Sequence, residues 1–138
     1  MLKRFISVMV FLAGITTVHA QPYTKDVNGL CSTLVHKDIT SLYTRDMIKQ
    51  FFSTDDDLLN FVVYMNVEME RAGFTRFVVY GCRVLRVSRS DSSGQAVFDI
   101  TGKGDLFFLK KHAIITTRWV DRDGRWYVEP PPVIRSRD

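Results

Sequence analysis

The chain has 138 residues, 46% of them apolar and 25% charged, which is typical of one soluble globular domain. After residue 20 no stretch is apolar enough to span a membrane and no segment repeats, which excludes a polytopic membrane protein and a repeat array. The net charge of +4 hides an asymmetry: residues 21–72 carry 5 basic and 8 acidic side chains, whereas residues 73–138 carry 12 basic and 7 acidic ones. The basic half predicts either ordinary solvated surfaces or a sheet face for an anionic partner.

The first twenty residues have the pattern of a secretory signal peptide. Lys3 and Arg4 precede the apolar run Phe5–Val18, and Val18-His19-Ala20 places small residues at the two positions that a signal peptidase reads. We therefore expect cleavage before Gln21 and an exported protein, either periplasmic or secreted. The alternative is an uncleaved membrane anchor, although the apolar run is short for a span of about 20 residues.

The chain before Gly73 has the apolar spacing of α-helices, and it predicts two or three of them. The first helix is indicated by one apolar face, formed by Val27, Leu30, Cys31, Leu34 and Val35. A turn at residues 36–38 precedes a second helical stretch, whose expected buried set is Ile39, Leu42, Tyr43, Met47, Ile48, Phe51 and Phe52. This stretch fits either one helix or two helices with a break near Thr44.

The third helix has the clearest signals. Thr54 is a natural N-cap with Asp57 three residues on, and Asp55–Asp57 fill the first turn, where the helix dipole favours negative charge. Consecutive aspartates on a helix do not converge on one ion, so this cluster predicts a cap and not a metal site. Gly73 predicts the end of the helix. The expected buried stripe consists of Leu58, Phe61, Val62, Met65, Met69 and Ala72.

The chain after Gly73 is rich in β-branched and aromatic residues, which predicts four strands. Their expected bounds are Phe74–Ser90, Gln95–Gly102, Leu106–Val120 and Arg125–Pro130. The first strand changes phase, so we expect a bulge near Gly81. In the closing hairpin Gly124 is placed for a positive φ, and the prolines that follow end the sheet. We predict an α+β fold in which two or three N-terminal helices pack on a strongly curved four-stranded antiparallel sheet, with a loose tail at residues 133–138.

The order of these elements resembles that of the nuclear transport factor 2-like superfamily. The resemblance rests on KDITSLY (Lys37–Tyr43), the helix STDDDLLNFVVYMNVEMERAG (Ser53–Gly73) and the hairpin WVDRDGRWYV (Trp119–Val128). It covers residues 24–130 of a single domain at residues 21–132, and the chain is most similar to small exported members. The resemblance implies a bent sheet that wraps the helices into a cone with a cavity. A cystatin-like inhibitor domain is the alternative, although the chain shows no inhibitory loop signature of that class.

The superfamily contains isomerases, dehydratases and cyclases as well as non-catalytic binders, so the fold does not decide the function. The weak catalytic candidates are Asp99, His112 and Tyr80. Asp99 would be a general base in an apolar pocket, but it is out of phase with Phe98 and its neighbours, which favours the outer, wet face of the sheet. His112 follows two lysines and is expected at the surface. Other polar groups considered are Arg118 and the tyrosines Tyr43 and Tyr64, whose hydroxyls could donate to a ligand oxygen.

The remaining patterns argue against common cofactor sites. No His or Cys pair has the spacing of metal ligands after residue 20, GKGD (Gly102–Asp105) is too short for a phosphate loop, and DSSG (Asp91–Gly94) is not a nucleophile elbow. We therefore expect no metal and no cofactor. The predicted function is an exported, non-catalytic binding or interaction module, and the alternative is a cofactor-free cavity enzyme with acid-base chemistry of the isomerase or dehydratase type.

The expected partner is a protein or a small apolar ligand, bound in the cavity or on the sheet face. Nucleic acid is a poor candidate for an exported protein, and we expect no membrane span once the signal peptide is cleaved. Members of the superfamily often pair through the open sheet face, which makes a homodimer plausible.

The two cysteines, Cys31 and Cys82, are predicted to form a disulfide. In the fold that the resemblance implies, the first helix packs on the sheet, and Cys31 lies on its apolar face. Cys82 is in phase with Tyr80 and Val84, so both thiols face the same interface. Export favours the bridge, and the alternative is two buried free cysteines.

Overall fold

A computed structural model describes residues 23–104 and 109–131. The predicted signal peptide, the first residues of the third predicted strand and the C-terminal tail lie outside the described residues. The described part has the predicted α+β architecture, in which three helices precede a four-stranded antiparallel sheet. A second sheet of two short strands accompanies it. The strong curvature of the main sheet stays a prediction.

The first helix, α1, includes residues 23–34 and buries the predicted apolar face except Val35, which follows the helix and is half-buried. Val27, Leu30 and Leu34 are fully buried, as their spacing on one helix face requires. Tyr23 holds the beginning of the described helix, because its hydroxyl donates to the carbonyl oxygen of Ser88 at 3.2 Å. Its ring also lies 4.4 Å from that of Trp126, measured between centroids. These contacts place α1 against the main sheet.

The second helix, α2 (Leu42–Ile48), is followed directly by a 3₁₀ turn at Lys49–Phe51. Ser41 is the N-cap, and its hydroxyl oxygen accepts the backbone N–H of Thr44 at 3.1 Å. Thr44 therefore lies in the first turn of one helix, and of the two alternatives that the sequence left open, the structure has the one without a break near this residue. The reason is that its side chain takes part in the cap instead of interrupting the helix.

The face that α2 buries differs from the predicted one. Thr44 is buried, whereas three residues of the predicted set, Leu42, Tyr43 and Met47, are 74%, 66% and 38% exposed. The rest of the predicted set is buried, namely Ile39, Ile48, Phe51 and Phe52. The hydroxyl of Thr44 donates to the carbonyl oxygen of Asp38 at 2.6 Å, and this bond rotates the helix so that the threonine faces inward. The apolar periodicity was misleading here because a short helix is oriented by its cap as much as by its apolar residues.

The third helix, α3 (Asp55–Arg71), follows the prediction closely. Thr54 is the N-cap, and its hydroxyl oxygen accepts the N–H of Asp57 at 3.0 Å. Gly73 follows the helix with a φ of 94°, a left-handed conformation that glycine adopts without strain. The buried stripe is the predicted one except that Ala72 is only half-buried, and it consists of Leu58, Phe61, Val62, Met65 and Met69.

The strands form two antiparallel sheets. The small sheet pairs β1 (Lys37–Asp38) with β2 (Val78–Val79), and the main sheet has the order β3-β4-β5-β6, with β3 (Gly81–Ser90), β4 (Ser93–Lys103), β5 (Lys110–Arg122) and β6 (Arg125–Val128). Residues 37–38, predicted as part of a turn, are therefore a short strand. His36 adopts a φ of 65° and donates its N–H to the carbonyl oxygen of Val79, which starts this pairing.

The predicted first strand is divided, and its irregularity lies elsewhere than expected. The register shifts between Val84 and Arg86, which makes Leu85 the extra residue, whereas we predicted a bulge near Gly81. Gly81 instead pairs regularly with Thr101. The change of phase in the sequence was a correct indication of a bulge, but a run with apolar residues in both phases does not identify the extra residue.

Two tight turns connect the strands of the main sheet. The turn between β3 and β4 contains Asp91 with a φ of 50°. The closing hairpin turns at Asp123 and Gly124, with φ values of 56° and 89°, which confirms the positive φ predicted for the glycine. The carboxylate of Asp121 accepts the N–H of Gly124 at 2.9 Å and fixes the turn.

The helices and the inner face of the main sheet share one core. Its largest fully buried members from the sheet are Trp119, Phe98, Ile100 and Ile115. The indole N–H of Trp119 donates to the hydroxyl oxygen of Thr117 at 2.8 Å, and that hydroxyl donates to the carbonyl oxygen of Ala96 at 2.9 Å. The polar groups of this buried cluster are therefore paired, as burial requires.

The predicted disulfide is confirmed. Cys31 of α1 is bonded to Cys82 of β3, and their Cα atoms are 5.5 Å apart. Cys31 is buried and Cys82 is half-buried, so the bridge lies in the interface between the first helix and the edge strand of the main sheet. The bridge closes a loop with a sequence separation of 51 residues and ties the first helix to a strand far along the chain.

Candidate functional site

The main sheet has an inner face in the core and an outer face that is largely exposed. Side chains alternate between the two faces along each strand, so the register of β3 to β6 defines the outer face. Cationic side chains dominate it. They are Arg83 and Arg86 of β3, Lys103 of β4, Lys110, Arg118 and Arg122 of β5, and Arg125 of β6.

Asp99 lies at the centre of this face and contacts both neighbouring strands. Its Oδ2 accepts a hydrogen bond from Nη2 of Arg83 at 3.2 Å, and its Oδ1 lies 2.9 Å from Nδ1 of His112. Arg83 is directly opposite Asp99, and His112 is diagonal to it on the other side. Asp99 is on the outer face but only 9% exposed, because these two side chains lie over it. The expectation of a wet environment for this carboxylate is therefore wrong.

The structure thus brings together two of the three weak catalytic candidates. The His112 side chain is 55% exposed and the Asp99 side chain 11% exposed, so an open imidazole is oriented by a covered carboxylate. Such a pair can hold a proton at Nε2 and pass it to a molecule lying on the sheet. In the part of the chain that the structure describes, no hydroxyl or thiol is hydrogen-bonded to His112, so a nucleophilic triad is not assembled there.

Tyr80, the third candidate, makes its described contacts elsewhere. It is 40% exposed, and Nζ of Lys103 lies 5.3 Å from the centroid of its ring, a cation–π arrangement. Its backbone N–H donates to the carbonyl oxygen of Thr101 at 2.8 Å, which positions the residue at the start of the main sheet.

A second carboxylate on this side of the protein, Glu129, is shared by two arginines. Its Oε1 lies 3.3 Å from Nε of Arg118, and its Oε2 lies 3.7 Å from Nη2 of Arg122. All three side chains are at least 41% exposed, so these pairs contribute little stability but neutralise part of the charge. Arg86 and Lys110 have no carboxylate partner among the described residues, and the face remains positive.

A groove of about 660 Å³ lies between the first half of α3 and the end of β6. It is lined by Asp57, Asn60 and Tyr64 of the helix, Thr116 and Arg118 of β5, and Glu129, Pro130 and Pro131. The hydroxyl oxygen of Tyr64 accepts the backbone N–H of Thr116 at 3.0 Å, which joins the helix to β5 beyond the end of the β6 pairing. Burial raises the pKa of Tyr64, and the negative charge of Glu68 adds to the increase, whereas the bond from Thr116 opposes it.

A smaller groove of about 320 Å³ lies at the turn between β3 and β4. It is lined by Ser88, Arg89, Ser90, Ser93, Gly94, Gln95 and Arg118. Neither this groove nor the larger one is lined by Asp99, His112 or Tyr80. The weak catalytic candidates therefore lie on an open surface, and the described grooves are formed by other residues.

Sequence reasoning found some of these residues and missed others. Asp99, His112, Arg118 and Tyr64 were considered as polar groups, but the groove itself was not predicted. Asn60 was missed. Its spacing of four residues from Tyr64 places both on one helix face, and this was the available signal.

Neither a metal centre nor a membrane-spanning helix is found in the described part of the chain. Within residues 23–104 and 109–131, no group of three or more His, Cys, Asp and Glu side chains is arranged to hold a metal ion. Over the same residues, none of the helices has the length and apolar character needed to cross a membrane.

Comparisons with known proteins give little further information. No family model and no curated protein matches the chain. Among solved structures, the chain is similar to a SEC-C motif-containing protein from Rhodopseudomonas palustris, with 18% identity and a TM-score of 0.43. The match covers 65% of this chain and 66% of that one, and at this level it supports no conclusion about fold or function. The resemblance to the nuclear transport factor 2-like superfamily stays a prediction.

Proposed function

We propose that the protein is an exported, non-catalytic binding module whose outer sheet face binds an acidic protein surface. The observation that carries the proposal is the array of cations on that face, with Arg86 and Lys110 unpaired among the described residues. Strands in a sheet lie about 4.8 Å apart, so the cations of β3, β4 and β5 act together on one approaching surface.

Apolar side chains among the cations favour a protein partner over a simple ion. Ile114 lies in the middle of the face, directly opposite Asp99, and is 53% exposed, and Val97 of the adjacent strand is diagonal to it and covered to 6% exposure by its neighbours. An apolar centre with a charged rim is the usual anatomy of a protein interface. The rim charges would determine which partner binds and how fast it associates, and the apolar centre would supply the apolar surface that is buried on binding.

Export is supported by two independent features. The first twenty residues have the pattern of a signal peptide, and the disulfide between Cys31 and Cys82 is compatible with an oxidising compartment. The proposed partner is therefore an acidic protein of the cell envelope or the exterior.

Affinity for poly-L-glutamate, measured by calorimetry at low and physiological salt, tests the proposal. We expect binding that weakens as salt screens the charges, and at least about a fivefold loss of affinity when both Arg86→Gln and Lys110→Gln are introduced. The matched control is Lys25→Gln, which removes an exposed charge from α1. Equal affinities for the double variant and the control would contradict the proposal.

A cofactor-free acid-base enzyme is the second candidate, and the 2.9 Å contact between Asp99 and His112 favours it. Deuterium exchange at the carbon beside the carbonyl of a cyclic ketone, followed by NMR in D₂O, tests this candidate. Exchange that is accelerated by the wild-type protein and lost in His112→Gln would favour the enzyme over the binding module. Rates equal to that of buffer alone would remove it.

A further inference from the structure

The groove between α3 and β6 has a lining that selects a class of ligand. Its volume of about 660 Å³ falls within the range of small-molecule sites, which is roughly 300–1,000 Å³. The charged side chains that line it are Asp57, Arg118 and Glu129, so the lining carries one more negative than positive charge. An anionic ligand is therefore disfavoured in this groove, in contrast to the outer face.

An extended peptide is also disfavoured, because the backbone groups that it would need are occupied. The N–H of Thr116 is bonded to the Tyr64 hydroxyl, and the carbonyl oxygen of Arg118 accepts the N–H of Glu129 at 2.7 Å. A peptide that adds to a sheet edge depends on such main-chain groups. The groove must recognise its ligand through side chains.

The side chains of the groove offer donors and acceptors in close alternation. The Tyr64 hydroxyl accepts from Thr116 and keeps its own hydrogen for a ligand, and Arg118 uses only its Nε for Glu129. The Asn60 amide, which both donates and accepts, has no hydrogen-bond partner among the described residues. Asp57 uses one carboxylate oxygen for the Ser53 hydroxyl at 3.3 Å and leaves the other to accept.

A ligand that matches this lining carries many groups that each donate and accept, and has an apolar face. Hydroxyl groups have both capacities, and the rings of Tyr64, Pro130 and Pro131 provide apolar surface within the groove. We propose that this groove binds a neutral short oligosaccharide, with Asn60, Tyr64 and Asp57 hydrogen-bonded to its hydroxyls. The site borders the cationic surface proposed to bind a protein and shares Arg118 with it.

Titration of the ¹⁵N-labelled protein with cellotriose tests this inference, with trigalacturonate as an anionic probe of similar size. We expect cellotriose to shift the amide signals of Asn60, Tyr64 and Glu129 and to bind with a Kd of about 1 mM or tighter. Trigalacturonate should leave the Asn60 and Tyr64 signals in place and shift those of the outer face, including Glu129 through its arginine partners.

The matched variants are Asn60→Ala in the groove and Asn28→Ala on the exposed side of α1. Loss of the Asn60 hydrogen bonds should weaken cellotriose binding by roughly 3- to 10-fold, and Asn28→Ala should leave it unchanged. Absence of groove shifts up to about 10 mM cellotriose, or equal affinities in the two variants, would overturn the inference. Both results leave poly-L-glutamate binding unaffected, so failure here is separable from failure of the proposed function.

Discussion

The two faces of the main sheet are built from alternating residues of the same strands, and they differ in almost every property. On β5, Ile115 is fully buried and its neighbour Ile114 is 53% exposed. The inner face joins the core beneath the helices, and the outer face carries cations, of which Arg83 is paired with Asp99 and two others with Glu129, around the exposed Ile114. The contrast teaches that the residues of one face are packed into the core of the fold, whereas those of the other remain at the surface, where we propose that a partner binds.

The sharpest test of this contrast compares neighbouring isoleucines. Ile115→Ala should lower the free energy of unfolding by roughly 2–5 kcal/mol, because it leaves a cavity in the core. Ile114→Ala should change it by less than about 1 kcal/mol. Urea denaturation of the two variants and the wild type measures both values, and similar losses at the two positions would break the distinction between the faces.

The disulfide stabilises the packing of the first helix on the inner face of the sheet. Replacing both Cys31 and Cys82 with alanine should reduce stability by roughly 2–4 kcal/mol, since the bridge restricts the unfolded chain. Thermal unfolding with and without a reducing agent measures the effect. Reduction should lower the Tm of the wild type toward that of the double variant and leave the variant unchanged. A wild-type Tm that does not change on complete reduction would show that the bridge does not stabilise the inner packing.

Close packing on the inner face is tested at Gly102. A Cβ at this position would clash with the edge of the Phe74 ring, whereas at Gly81 it would meet Thr101 at 3.6 Å, an ordinary contact. Gly102→Ala should therefore cost roughly 1–3 kcal/mol through overpacking, and Gly81→Ala should be close to neutral. Chemical denaturation of the pair provides the comparison, and a stable Gly102→Ala variant would mean that Phe74 is not packed as described.

Tyr23 makes the stability of the inner packing depend on pH in the alkaline range. Burial raises the pKa of Tyr23 to about 12, and the charge of Arg89 partly opposes this increase. The unfolded tyrosine ionises near 10, so between the two values the unfolded state has lost the proton and the folded state retains it. The stability that Tyr23 contributes is therefore fully present below the pKa of the unfolded state and is lost as pH rises through the pKa of the folded state. The loss is at most about 1.4 kcal/mol per pH unit.

A Tyr23→Phe variant isolates this effect. It loses the hydrogen bond to Ser88 and should be less stable than the wild type at neutral pH by about 1 kcal/mol. The difference should shrink above pH 10, because the variant has no proton to lose at this position. Denaturation at several pH values measures the two slopes, and parallel slopes would show that the hydroxyl is not held neutral by burial.

Most of the fold was predictable because it depends on local rules. The cap at Thr54, the stripe of α3, the Asp-Gly hairpin and the alternation of β4 are each encoded within a few residues. The orientation of α2 was not predictable from periodicity. It depends on the bond from Thr44 to the carbonyl oxygen of Asp38, which a sequence pattern does not reveal.

The candidate site was less predictable, because its geometry is set by long-range register. Asp99 was correctly considered a polar group of a strand, but its cover by Arg83 and His112 requires the pairing of three strands. The groove next to Tyr64 requires the additional knowledge that α3 lies beside β5. No short segment of the sequence encodes pairing between such distant residues. The disulfide could be predicted because placing α1 on the sheet brings the two cysteines to one interface.

The most direct test of the central claim is a map of the surface that contacts an acidic partner. NMR spectra of the ¹⁵N-labelled protein are recorded with increasing poly-L-glutamate. The account predicts that the shifted amides belong to outer-face positions such as Arg86, Lys110 and Ile114, while buried inner-face amides such as Ile100 remain in place. Shifts concentrated on the helices, or their absence at low salt, would contradict the claim that the outer face is the binding surface.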